Sequence, residues 1–138
     1  MKKKIITFTV FLLILVVGFY SCEKPSKTGL KDTKWKLEGI MNVQTGDLKK
    51  LEPKDCEECY TFTFNTNTTA RGYTVLNEMF ISDLNPFSIW GTKIGEEGDA
   101  GICYDALVSV KSYTFYKCEL KLFYDNNSKY LLYKQVNL

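Results

Sequence analysis

Tyr60-Thr61-Phe62-Thr63-Phe64-Asn65-Thr66-Asn67-Thr68-Thr69-Ala70-Arg71-Gly72-Tyr73-Thr74-Val75-Leu76 is the stretch that decides the fold class. Its first five residues alternate aromatic side chains with threonines, the period of two expected of a strand with one buried face, and both residue types favour strands. Asn65-Thr66-Asn67 carries turn chemistry. Thr69 to Leu76 is expected to pair back, with Gly72 marking a bulge or a close backbone approach. Tyr60, Phe62 and Phe64 then share a face, and core packing is the default use of such a face.

The same period extends outward in both directions. Trp35 and Leu37 alternate with Lys34, Lys36 and Glu38, and Ile40 to Val43 can continue that strand past Gly39. Gln44 to Asp47 reads as a turn and Leu48 to Leu51 as a short return strand. Toward the C-terminus, Tyr113 to Tyr116, Glu119 to Tyr124 and Tyr130 to Lys134 are strands, turned at Lys117-Cys118 and at Asp125-Asn126-Asn127-Ser128. Between these blocks the pattern is less regular. Asn85-Pro86 interrupts the apolar positions Met79 to Trp90, and Phe87 to Trp90 and Thr92 to Ile94 read as strand fragments. Gly95 to Gly101 is a loop by composition, and the spacing of Tyr104, Leu107 and Val108 predicts a short helix through about Ser109. The expected architecture is mainly β, a small antiparallel sheet or partly open barrel with one short helix.

The order of these elements resembles a known family. Trp35-x-Leu37 opens the first strand, and Phe62-x-Phe64 precedes Gly72 and Asn77. Tyr104-x-x-Leu107-x-x-Val110-x-x-Tyr113 then leads to Leu120-x-Leu122 and a final aromatic strand. This spacing is similar to the META-type domain of the HslJ family, a compact mixed sheet or barrel of bacterial envelope lipoproteins and stress proteins. It also resembles the small lipocalin-like domains of Bacteroides lipoproteins. The resemblance spans roughly Thr33 to Lys134.

The N-terminus carries the clearest chemical message. Lys2, Lys3 and Lys4 precede the apolar run Ile5 to Val17 and then Gly18-Phe19-Tyr20-Ser21-Cys22, the basic, apolar and small-residue order of an export signal. The apolar run is shorter than the ~20 residues that cross a bilayer as a helix. Ser21 before Cys22 resembles the lipobox of bacterial lipoprotein precursors, with Phe19 where leucine is usual, as in the relaxed boxes of Bacteroides-type bacteria. That resemblance implies cleavage before Cys22 and lipid attachment on its thiol and amino group. More than one acyl chain is needed for lasting attachment, at about 0.8 kcal/mol per buried methylene. The expected layout is a signal peptide at 1–21, a polar tether at 22–32 and a single domain at 33–138. The expected location is the bacterial cell envelope, lipid-anchored, at the periplasmic or surface face of the outer membrane.

Charge and composition exclude several functions. Of 18 basic residues three leave with the signal, so fifteen face 16 acidic ones, a formal −1. No basic patch interleaved with aromatics points to nucleic acid. The chain has no histidine, which removes Ser-His-Asp and Cys-His catalysis, and no phosphate-cradling glycine loop is present. No enzyme activity, cofactor or metal is expected.

Cys56-x-x-Cys59 is the sharpest remaining motif. It reads as a redox pair, as half of a zinc site or as a structural disulfide. Asp55, Glu57 and Glu58 flank the thiols, and neighbouring carboxylates disfavour the thiolate. A second short cysteine spacing, as structural zinc sites usually require, is absent. With Cys22 set apart, four cysteines remain, and an oxidising envelope favours pairing them. Cys56 with Cys59 and Cys103 with Cys118 is the favoured arrangement of three. Glu96, Glu97 and Asp99 lack the alternating ligand spacing of a dedicated calcium loop. Trp90, near Pro86, is the expected exposed aromatic and a candidate ligand contact. The leading expectation is therefore a non-catalytic interaction or structural domain on a membrane anchor, with an unknown protein or small-molecule partner. The competing readings are a lipocalin-like or carbohydrate- or peptide-binding module with an aromatic-lined pocket, and a thiol–disulfide active protein working through Cys56 and Cys59.

Overall fold

In a computed structural model of the chain, residues 29–138 are described. The signal segment 1–21, Cys22 and the first part of the tether lie outside them. In order, the described elements are β1 Thr33–Asn42, β2 Leu48–Lys49, β3 Thr61–Phe64, β4 Ala70–Tyr73, β5 Glu78–Leu84 and β6 Phe87–Gly91. The helix α1 Gly98–Val108 follows, and then β7 Ser112–Tyr116, β8 Glu119–Tyr124 and β9 Lys129–Val136.

The pairings are antiparallel and run β6-β5-β4-β3-β1-β9-β8-β7, with β2 beside the second half of β1. The eight strands of that path form a nearly closed barrel, open between β6 and β7. Helix α1 is the connection between those two open edges and packs against β6 and β8.

Alternation along each strand fills the interior. Trp35, Phe62, Phe64, Leu120, Leu122, Leu131 and Tyr133 are fully buried. Trp35 meets Phe115 edge-on at 5.8 Å and Phe62 meets Tyr133 at 5.6 Å, separations at which such rings attract beyond their area burial. The Trp35 indole N–H donates to Thr33 Oγ1 at 2.7 Å, and Thr33 Oγ1 donates to the Leu30 carbonyl. The hydroxyl of Tyr133 is buried with no hydrogen-bond partner among the described residues. Two glycines mark close backbone approaches, of which only that at Gly72 is expected from the sequence. A Cβ on Gly72 would strike the Thr61 carbonyl and the Phe62 ring, so the mark there is a close approach. Gly39 sits where the β1–β9 register shifts, hard against the Lys49 carbonyl.

The tyrosine-threonine-phenylalanine strand and its return are β3 and β4, and the three C-terminal strands and their turns fall where alternation places them. Asp125, Asn126 and Asn127 all adopt positive φ at the β8–β9 turn, a conformation that Asn and Asp tolerate better than most residues.

Four expectations need correction. Helix α1 begins at Gly98, inside the segment read as a loop, because its inward face is built largely of the small side chains Ala100, Cys103 and Ala106 beside Leu107. Thr92 to Ile94 is irregular chain and pairs as no strand. The return strand β2 stops at Lys49, and Leu51 turns into the core instead. Finally, packing starts within the stretch read as tether. Leu30 is buried, Lys31 N–H donates to Asn67 Oδ1 at 3.0 Å and Asp32 N–H to the Phe64 carbonyl at 2.8 Å.

Candidate functional site

The chain from Trp90 to Glu96 leaves the sheet edge and crosses toward α1, and its two ends have opposite fates. At the far end, Glu96 fills a nest of donors in the β4–β5 turn. Its carboxylate accepts N–H bonds from Val75 at 3.0 Å, Leu76 at 2.5 Å and Asn77 at 3.3 Å. Thr74 Oγ1 lies 2.7 and 2.8 Å from its two oxygens. Burial works against this carboxylate, but the bonds from Thr74, Leu76, Asn77 and Val75 outweigh it and hold its pKa below the usual range. Asn77, itself buried, ties down the same segment. Its Nδ2 donates to the Ile94 carbonyl at 2.8 Å, and its Oδ1 accepts from Thr92 Oγ1 at 2.8 Å and from Ile94 N–H at 2.7 Å.

This arrangement separates the acidic cluster. Glu96 turns to the β4–β5 turn, while Asp99 accepts from the Glu52 N–H at 2.9 Å and pairs with Lys49 at 2.9 Å. Beside the clasp lies an open cleft of about 300 Å³ between the Lys93 to Glu96 segment and Gly101, Tyr104 and Asp105 of α1.

At the near end, Trp90 stays open. It is 56% exposed on β6 and stacks on its cross-strand partner Phe80, with ring centroids 4.2 Å apart and 20° between planes. Register places Arg71 next in the row, opposite Phe80, with its guanidinium carbon 5.9 Å from the Phe80 centroid and its Nε donating to Glu78. Ser82 and Ser88, hydrogen-bonded at 2.9 Å, lie further along the same two strands. Because β6 is an edge strand, no further strand among the described residues lies beyond Trp90 on the side away from Phe80. The expected exposed aromatic is therefore part of a row that alternation alone could not assemble.

The cysteines divide three ways. Cys56 and Cys59 form a disulfide. The expected Cys103–Cys118 bridge does not form, because Cys103 is a free thiol buried on the inward side of α1. Burial there pushes its pKa well above the ordinary thiol value, which makes it inert. Cys118 sits half-buried in the β7–β8 turn.

Sequence reasoning missed the partner of the disulfide loop, Lys36. Its ammonium donates to the Cys56 carbonyl at 2.6 Å, to the Glu57 carbonyl at 3.3 Å and to the Cys59 carbonyl. Burial pulls its pKa below the ordinary lysine range, against the raising effect of Glu58. The only available signal was its alternation on β1, twenty residues away. Cys22 falls outside the described residues.

No protein-family model matches the chain. In sequence it is 44% identical over 141 aligned positions to a Tannerella forsythia protein named "Putative lipoprotein", with 97% of both chains covered. In structure it resembles a DUF4847 family protein from Bacteroides vulgatus, with a TM-score of 0.56 over 76% of this chain and 93% of that one. At 14% identity that likeness is one of fold.

Proposed function

This chain belongs to the same family as the Tannerella forsythia protein, and we propose that it is an envelope lipoprotein anchored by lipid on Cys22, most simply at the outer membrane. The family match extends over 97% of the chain, so it includes most of the leader up to Cys22. Intact-mass analysis of protein extracted from membranes tests the anchor. A mass lacking residues 1–21 and carrying acyl chains on Cys22 supports it, and an unlipidated mature chain sinks it.

The domain's role in this reading is to bind rather than to turn over a substrate, and the observation that carries it is the Trp90–Phe80–Arg71 row. An exposed indole stacked on Phe80, with an Arg–Glu pair beyond Phe80 and serine hydroxyls further along the strands, offers a flat apolar face with hydrogen-bonding groups in the same row. That combination fits a sugar ring, which has an apolar C–H face and a polar edge. A lipocalin-like interior pocket is disfavoured because Trp35, Phe62, Leu122 and Tyr133 occupy the barrel's centre. The META-type and lipocalin-like resemblances remain proposals about ancestry and add no site.

Fluorescence provides the test, since the chain has only two tryptophans and Trp35 is buried while Trp90 is exposed. Soluble oligosaccharides should blue-shift the emission of the wild-type domain and leave Trp90→Ala unchanged. Binding that survives Trp90→Ala, or that is confined to peptides, would refute a sugar-binding row.

A further inference from the structure

The Cys56–Cys59 loop has more built around it than a staple requires. The two sulfurs are unequal, because Cys59 is buried while Cys56 is only half-buried. The Cys59 backbone N–H donates to Cys56 Sγ at 3.2 Å. Lys36 brings a cation from β1 to the carbonyls of both cysteines. Of the flanking carboxylates, Glu58 is engaged with Lys34 at 2.7 Å, and Asp55 and Glu57 are exposed to solvent. A thiolate is favoured by nearby cations and by N–H donors, and the accessible sulfur of a disulfide is the one attacked.

We infer that Cys56–Cys59 is an exchange-active disulfide that oxidises a dithiol on an exported protein, with Cys56 as the sulfur attacked and Lys36 as the positioning cation. A substrate thiol loses its proton to solvent, and its thiolate attacks Cys56 Sγ. The Cys56–Cys59 bond breaks and Cys59 leaves as a thiolate that takes a proton from solvent. The second substrate thiol loses its proton to solvent and attacks the substrate sulfur of the mixed disulfide, and Cys56 departs as a thiolate facing the Cys59 N–H and then takes a proton from solvent. The substrate loses two electrons and two protons, and the cysteine pair gains them, once per molecule. This activity is independent of the sugar-binding row.

The test uses the mature exported chain. Mixed with an equal amount of a reduced two-cysteine peptide under argon, the oxidised wild-type protein should convert the peptide to its disulfide form. After reduction and removal of reductant, brief iodoacetamide treatment and peptide mapping should find Cys56 modified at least tenfold faster than Cys59. Lys36→Gln should slow Cys56 modification fivefold or more, and Lys36→Arg should restore it. Given instead the disulfide form of the peptide, reduced Cys59→Ser should be trapped as a mixed disulfide through Cys56, with one peptide thiol released, whereas Cys56→Ser traps none. A peptide that stays reduced beside the wild-type protein, or equal modification of the two cysteines, overturns the proposal. Both readouts need no substitution, so loss of fold in a variant cannot rescue it.

Discussion

Glu96 and Trp90 lie six residues apart in one connecting segment, yet the protein treats them as opposites. Every oxygen of Glu96 is met by donors from the β4–β5 turn, whereas Trp90 stacks on Phe80 and is otherwise 56% exposed. The charged residue, in a segment that the sequence suggests is a loop, is used up in holding the fold. The apolar one, already expected from the sequence to be exposed, is left available. A side chain's chemical type says less about function than whether the fold has already satisfied it.

The contrast can be broken at four points. The largest effect is expected at Asn77→Ala, which removes the three hydrogen bonds that the buried Asn77 amide makes to Thr92 and Ile94. With each such bond contributing about 0.5–1.5 kcal/mol, urea unfolding should show a loss of about 3 kcal/mol. Next is Glu96→Ala, which empties the nest while leaving its donors close to solvent. Hydrogen bonds to charged groups contribute about 1.5–3 kcal/mol, so a loss of about 2 kcal/mol is expected, with sugar binding at Trp90 retained. An equal loss of binding would show that the clasp and the row are one site.

Acid gives a smaller, signed effect. The Glu96 carboxyl is held below its ordinary value of 4.5 in the folded chain, so its stabilisation is present above that pH and fades as pH falls through the folded value. Thermal melts from pH 6 to pH 3 should decline for wild type and decline less for Glu96→Gln. Identical slopes would show that the carboxylate is not the titrating group. Smallest is Trp90→Ala, expected to cost about 1 kcal/mol of stability, the worth of one exposed aromatic pair. A loss above about 3 kcal/mol would mean that Trp90 belongs to the core.

What sequence revealed follows from the range of each interaction. Tyr60 to Phe64, Tyr113 to Tyr116 and the strands after them were legible because one face of each meets the core, which writes a period of two locally. Helix α1 was half hidden, since Gly98 and Gly101 resemble loop punctuation and its inward side is mostly small residues. Asn85-Pro86, which reads as an interruption, is the β5–β6 turn. The exposure of Trp90 could be anticipated from its surroundings, but its stacking on Phe80 depends on cross-strand register. The Thr74–Glu96 and Lys36–Cys59 contacts join residues 22 and 23 positions apart, and nothing local marks them. The Cys103–Cys118 expectation failed because parity was its main support, whereas burial on α1 decides the state of Cys103.

The early burial of Leu30 fixes a working radius for the domain. Leu30 stands eight residues after Cys22, and a fully extended chain spans at most about 3.3–3.6 Å per residue. On a Cys22 anchor the barrel is leashed within roughly 30 Å of the bilayer. Lys31 and Asp32 bond to Asn67 and Phe64, so the end of the barrel carrying the β3–β4 turn is the one drawn toward the membrane. The Glu96 clasp and the Cys56–Cys59 loop gather at the other end of those strands, where the Tyr60 N–H meets the Thr74 carbonyl at 3.3 Å. On such an anchor, a leash this short would keep the disulfide on the side of the domain that faces away from the bilayer.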